Sequence, residues 1–216
     1  MQIRNNNLRH GFTLVELVVA LAIASMIMAV VLFNYSSAND SLVVSSAGQE
    51  MAIAMRQAQS YGLSAREAGV GTNAFNYAYG IYFTTAAGQN DKYIIFVDKC
   101  AAGVSGVYDT TAACGNGSAE LVETVPLRNN VKIQNIGVCN SSGCTTPMMA
   151  VTMHATFKRP SSDVVIKFLT SDGTVVGNGT SNGGVTLVSP KGNTYNVTIA
   201  KTGQIAPNLY AQTPTK

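Results

Sequence analysis

RHGFTLVELVVALAIASMIMAVVLF, residues 9–33, sets a long apolar run directly behind a basic N-terminus. From Phe12 to Phe33 run 22 residues whose polar members are Thr13, Glu16 and Ser25. A helix rising about 1.5 Å per residue needs roughly 20 apolar residues to cross the hydrocarbon core, so the run has membrane length. Arg4, Arg9 and His10 precede it with no acidic residue, which predicts a cytoplasmic N-terminus and an outward-facing chain beyond Phe33. A cleaved secretory signal fits less well. Its apolar region is about 7 to 15 residues long, followed by a small-residue cleavage site. This run is longer, and no convincing Ala-x-Ala site precedes the polar change at Asn34.

Glu16 is the anomaly. An ionised carboxylate at membrane depth costs at least a few kcal/mol and calls for a partner. The run contains no lysine or arginine, so the partner has to come from elsewhere. A free α-amino group would serve. A cut between Gly11 and Phe12 would place such an amine on Phe12, about one helical turn from Glu16. A neighbouring subunit shifted along the axis could then pair its Phe12 amine with this Glu16, turning a membrane liability into an assembly register.

The residues Gly11-Phe12-Thr13-Leu14-Val15-Glu16-Leu17 resemble the class III signal of type IV prepilins and type II secretion pseudopilins. That resemblance implies a leader, residues 1–11, removed by a membrane aspartyl prepilin peptidase that cuts after Gly11 and methylates Phe12. It also implies that Glu16 neutralises the amine of an adjacent subunit during assembly. The partners it implies are the peptidase, the inner membrane and other pilins or pseudopilins. The location it implies is a single-pass anchor in the inner membrane with a periplasmic or extracellular head, followed by entry into a pilus or pseudopilus.

Beyond Phe33 the chain turns polar, yet helical periodicity returns. Val43, Ala47, Met51, Ala54, Met55, Ala58, Gly62 and Ala65 fall three or four apart and form one apolar stripe, with Gln49, Glu50, Arg56, Gln57, Ser60 and Ser64 on the other side. No proline interrupts residues 12–67. The pattern predicts one long helix, residues 12–33 apolar and residues 34–67 amphipathic, on the order of 80 Å if continuous. Asn39-Asp40-Ser41 offers an alternative, a cap on a second helix after a short break.

Around Gly69 the period changes to two. Residues 78–84, 92–98, 119–125, 131–136, 150–157, 163–170, 184–189 and 194–200 read as strands, rich in β-branched and aromatic residues. Turn signals separate them, including Asn129-Asn130, Asp172-Gly173 and Lys191-Gly192-Asn193. Residues 170–184, rich in Gly, Ser and Asn, read as a loop. The fold class is therefore α+β, a long N-terminal helix covering a mainly antiparallel β head over residues 68–216. The implied fold is pilin-like.

Composition narrows the function. Charged residues are 12% of the chain, about half the usual soluble share. Without residues 1–11 there remain twelve basic and eleven acidic side chains, so no global field points to nucleic acid or anionic lipid. The four cysteines Cys100, Cys114, Cys139 and Cys144 all follow the apolar run, where an oxidising compartment favours disulfides. They allow three pairings; the local one, Cys100–Cys114 with Cys139–Cys144, is preferred because each pair brackets a small-residue loop. Neither spacing has the Cys-x2-Cys form of a zinc knuckle, so no metal is expected.

The C-terminal arrangement is similar to the GspH/FimT group of minor pilins and pseudopilins: a strand ending in Phe157, the Arg159-Pro160 turn, two strands and a late Thr202-Gly203 pair. DNA-binding members of that group carry Gly-Arg-x-Arg near the C-terminus. Here Gly203 is followed by Gln204-Ile205-Ala206, so both arginines are missing. Lys158, Arg159 and Lys167 remain as phosphate contacts, and three such contacts support only weak non-specific affinity. No catalytic elbow, phosphate loop or cluster of metal carboxylates occurs. A lone strand histidine, His154, more often sits on a surface or in a satisfied core than acts as a base. The sequence therefore argues against an enzyme and against a cofactor. It favours a minor pilin or pseudopilin that assembles into or initiates a type IV pilus or type II secretion pseudopilus. The alternative is a tip module contacting DNA in natural transformation, or an exported substrate.

Overall fold

In the computed structural model, residues 12–64, 66–67, 76–100, 105–111, 119–140, 143–146, 149–178 and 182–207 are described. Among the described residues the order is one α-helix followed by eleven strands. Helix α1 is Leu14–Leu63, 50 residues without interruption. The chain divides into two compact units, Met1–Asn39 and Asp40–Lys216.

In the first unit every described side chain from Phe12 to Leu32 is exposed. In the second, α1 buries the stripe of small and flexible apolar residues that its spacing predicts. Ala47, Met51, Ala54, Met55 and Ala58 are all buried, whereas Gln49, Glu50, Arg56 and Ser60 are exposed. Asp40 caps nothing. Its Oδ2 accepts from the Ser189 hydroxyl and from Asn193 Nδ2 at 2.8 Å, tying α1 to the turn between the ninth and tenth strands.

The strands form two antiparallel sheets rather than one. Sheet A has the order β3-β2-β1-β6-β7-β8, from β3 (Leu121–Pro126), β2 (Lys92–Asp98), β1 (Ala78–Thr84), β6 (Thr152–Phe157), β7 (Val164–Leu169) and β8 (Val175–Asn178). Sheet B has the order β11-β10-β9-β4-β5, from β11 (Ile205–Pro207), β10 (Thr194–Ile199), β9 (Asn182–Val188), β4 (Lys132–Asn140) and β5 (Gly143–Thr145). Alternation along the strands sends Ile81, Phe83, Met153, Phe157, Ile166 and Leu187 into the same core that receives the α1 stripe.

The segment 170–184 is a correction to the sequence reading. It holds β8 and the first residues of β9. Gly183 and Gly184 are there for space, whereas Gly173 supplies the positive φ of its turn. A Cβ on Gly184 would stand 2.3 Å from Cys139 Sγ, and one on Gly183 would stand 3.0 Å from Met153 Sδ. Strand pairing with β4 and β10 holds this low-propensity sequence extended. The short edge strands β5 and β11 are likewise absent from the sequence reading.

Close approach docks α1 as well. A Cβ on Gly48 would meet the Tyr195 ring at 2.2 Å, and one on Gly62 would meet the Phe157 carbonyl oxygen at 2.4 Å. In an exposed helix, Gly→Ala stabilises by about 1 kcal/mol. At Gly62 the sign should invert: Gly62→Ala is expected to destabilise the head by about 1–3 kcal/mol through overpacking. Chemical denaturation checks this, with Ser60→Ala on the exposed side as the near-neutral control. A raised unfolding midpoint for Gly62→Ala would contradict the docking described.

Candidate functional site

The N-terminal site is built on the first turn of α1. Thr13 is the N-cap: its Oγ1 accepts the Glu16 N–H at 3.2 Å, and its carbonyl accepts the Leu17 N–H at 3.2 Å. Thr13-Leu14-Val15-Glu16 has the Thr-x-x-Glu spacing of a capping box, a signal the sequence reading passed over. It makes Glu16 the third helical residue, at the positive end of the helix dipole, where a carboxylate is favoured. Ser25 donates to the Ala22 carbonyl at 2.8 Å and so turns its hydroxyl inward on the helix.

Apart from Thr13 and Glu16, the exposed side chains around this turn are apolar. Phe12 is 84% exposed and Leu14 79%. The segment Leu14–Leu32 has a mean hydropathy of 2.7 and is long and apolar enough to cross a membrane. Gly11 lies outside the described residues.

A family model described as the prokaryotic N-terminal methylation motif matches residues 6–32. No curated protein and no solved structure matches the chain. The first part of the chain is thus a prepilin-type N-terminal motif, which supports a type IV pilin-like relationship. The match ends at residue 32, so the head has to be read from its own geometry.

In the head, Cys139 and Cys144 form a disulfide between register partners on β4 and β5. Cys100 is also disulfide-bonded; Cys114 lies outside the described residues. Lys167 comes together with the adjacent pair Lys158 and Arg159 around one depression of about 360 Å³. Asp98 and Asp163 line the same depression, and the Lys167 ammonium donates to the Ser105 carbonyl. Gly203, with φ at 86°, sits in the turn before β11 and accepts from Gln59 Nε2 at 3.1 Å. Its place is set by contact with α1.

The feature least legible in sequence lies on the outer face of sheet A. There Tyr82, Phe96 and His154 are covered by Tyr108, from the connection between β2 and β3. Tyr108 stands 5.4 Å from Tyr82 and 5.6 Å from Phe96, centroid to centroid, and Tyr82 stands 4.9 Å from His154. Side-chain acceptors, two of them buried, pin this strap. The Gly106 N–H donates to Asp98 Oδ2 at 2.7 Å, the Tyr108 N–H to His154 Nδ1 at 3.0 Å and the Asp109 N–H to Glu120 Oε2 at 2.9 Å. The other Glu120 oxygen takes the Cys100 N–H at 2.9 Å. No periodicity announces such a strap, because its anchors are single polar residues in or beside the strands.

Burial, with Lys167 adding to it, pushes the His154 imidazole down to about 3. The ring is therefore neutral at ordinary pH and free to accept from Tyr108. Glu120 shifts the other way: burial raises its carboxyl above the usual range, against the pull of the two backbone donors. The consequences for stability have opposite signs. Unfolded His154 takes up its proton near pH 6.5 and folded His154 does not, so its contribution is lost as pH falls from about 6.5 toward 3. Glu120 binds its proton more readily when folded, so its contribution is present at low pH and lost as pH rises through its raised value.

Replacing His154 by Phe should leave the Tyr108 N–H without its acceptor and cost about 1–3 kcal/mol at neutral pH. The wild-type advantage should then shrink as pH falls below 6.5, with a limiting slope of about 1.4 kcal/mol per pH unit. Denaturant unfolding followed by near-ultraviolet circular dichroism of the tyrosines measures the difference. A gap between the two proteins that does not change with pH would contradict the neutral, proton-refusing His154.

Proposed function

We propose that the chain is a minor pilin or pseudopilin, a membrane-anchored subunit that assembles into or initiates a type IV pilus or type II secretion pseudopilus. The observation that carries this reading is a prepilin methylation motif on the capped end of a helix whose first nineteen residues, Leu14–Leu32, are exposed and, but for Glu16 and Ser25, apolar. Residues 1–11 are the leader, cut after Gly11 by the prepilin peptidase, and Phe12 becomes the methylated N-terminus. Residues 12–33 cross the inner membrane and later lie in the filament core. The amphipathic residues 34–67 carry the β head on the outer side. The placement of Phe157, Arg159-Pro160 and Gly203 supports assignment to the GspH/FimT group.

Glu16 holds the assembly register. Its carboxylate pairs with the Phe12 amine of a neighbouring subunit, so each charge offsets the other where water is scarce. Thr13 supports the pairing by fixing the first turn from which Glu16 projects. The head acts by assembly, not catalysis, and carries no cofactor. Its depression lined by Lys158, Arg159 and Lys167 is partly neutralised by Asp98 and Asp163, which weighs against DNA as a partner.

Two measurements test this. Intact mass of the membrane-purified protein, from cells with an active prepilin peptidase, should lack residues 1–11 and carry one added methyl; retention of the leader would refute the reading. Glu16→Ala should still insert and fold, because it removes a membrane charge and costs only about 0.3–1 kcal/mol in helix-dipole stabilisation. Its incorporation beside other pilins should be lost. Normal filament number with that variant would show that the carboxylate is not the register device.

A further inference from the structure

Beside the strap, the outer face of sheet A opens into a cavity of about 550 Å³ that the filament reading does not use. Its floor is Tyr82, Tyr108 and His154; its walls come from the strap, from the end of β6 and from the turn between β7 and β8. The volume falls within the range of small-molecule sites. We propose that this cleft binds a neutral saccharide, with an apolar sugar face against Tyr82 and hydrogen bonds to Thr152 and Asp109. The proposal is independent of filament assembly, since every residue it uses lies in the head.

The wall chemistry selects the ligand class. Among the described residues the lining holds no lysine or arginine, while two aspartates, Asp109 and Asp172, belong to it. Low-dielectric walls strengthen their field within a cleft, which disfavours phosphates, uronates and other anions. Hydroxyl side chains dominate the remainder, among them Thr84, Thr110, Thr152 and Ser171.

One donor in this wall is oriented by the fold. The Tyr108 N–H donates to His154 Nδ1 at 3.0 Å, which requires a lone pair there. The neutral ring then carries its proton on Nε2, and that N–H donates to Thr152 Oγ1 at 3.2 Å. Having accepted from the imidazole, the Thr152 hydroxyl directs its own hydrogen away from the ring. Thr152 is thereby set to donate to an acceptor in the cleft. Asp109 and Asp172 supply acceptors; Asp172 commits Oδ1 to the Thr170 hydroxyl and to the Thr174 N–H at 3.0 Å. A bare cation would use the carboxylates and leave the oriented donor opposed to it. A sugar ring uses all three elements, because each hydroxyl both donates and accepts and its C–H face packs on an aromatic ring.

The test uses the full chain in phosphatidylglycerol nanodiscs, with maltose, cellobiose and N,N′-diacetylchitobiose as probes and with glucuronate and spermidine as charged controls. Saturation-transfer NMR is expected to detect at least one neutral disaccharide, with transfer to its ring C–H protons. Isothermal titration should show Thr152→Val weakening that sugar by about tenfold, the value of one hydrogen bond. Thr152→Ser, which keeps the hydroxyl, should retain wild-type binding, and Asp109→Asn should weaken it without moving the backbone bond to Glu120. Glu123→Gln on β3 should have no effect. Transfer to none of the three disaccharides, binding confined to a charged control, or full binding by both Thr152→Val and Asp109→Asn would overturn the proposal.

Discussion

A helix whose first nineteen residues offer no face to water imposes the constraint on which the rest of this molecule depends. From Leu14 to Leu32 the side chains are exposed and, apart from Glu16 and Ser25, apolar or small, and hydrophobic area on that scale is not left in water. It must be covered by lipid or by other helices. Either cover makes an unpaired carboxylate expensive, so Glu16 is where the cost concentrates and where a specific partner has the most to contribute. Thr13 and Ser25 make no comparable demand, since both are bonded within the helix.

The same helix meets different requirements in the head. There it packs through small residues, with Gly48 under Tyr195 and Gly62 against Phe157, and through the polar tie of Asp40 to Ser189 and Asn193. Close packing and a buried polar bond resist sliding more than a smooth apolar stripe does. Two antiparallel sheets complete the core, and part of the outer face of one is covered by a strap whose Gly106, Tyr108 and Asp109 N–H groups find side-chain acceptors. His154 and Glu120 are retained in apolar surroundings because an unsatisfied backbone N–H would cost more than either costs to bury.

Much of this was legible in sequence where periodicity carries it. The apolar run, the stripe from Val43 to Gly62 and the strands around Ile81 and Ile95 announce themselves by period, and the Gly11-to-Glu16 motif by residue type at fixed spacing. The Thr-x-x-Glu cap was there to be read as well. What escaped depends on contacts between distant positions. Asn182-Gly183-Gly184 has the composition of a loop, yet its glycines make room for the Cys139–Cys144 bridge and for Met153. Asp40 has the look of a cap until the turn at Ser189 is brought to it. The strap rests on single residues, His154, Glu120 and Asp98, whose partners lie as much as 46 residues away.

The central claim is that Glu16 meets the N-terminal amine of a neighbour. Zero-length carbodiimide cross-linking of assembled filaments, followed by peptide mass spectrometry, tests it most directly. The account predicts an amide joining the Phe12 nitrogen of one subunit to the Glu16 carboxylate of another, formed in filaments and absent from the dispersed membrane subunit. Recovery of both residues on unlinked peptides, while other carboxylates in the same filaments cross-link, would contradict it.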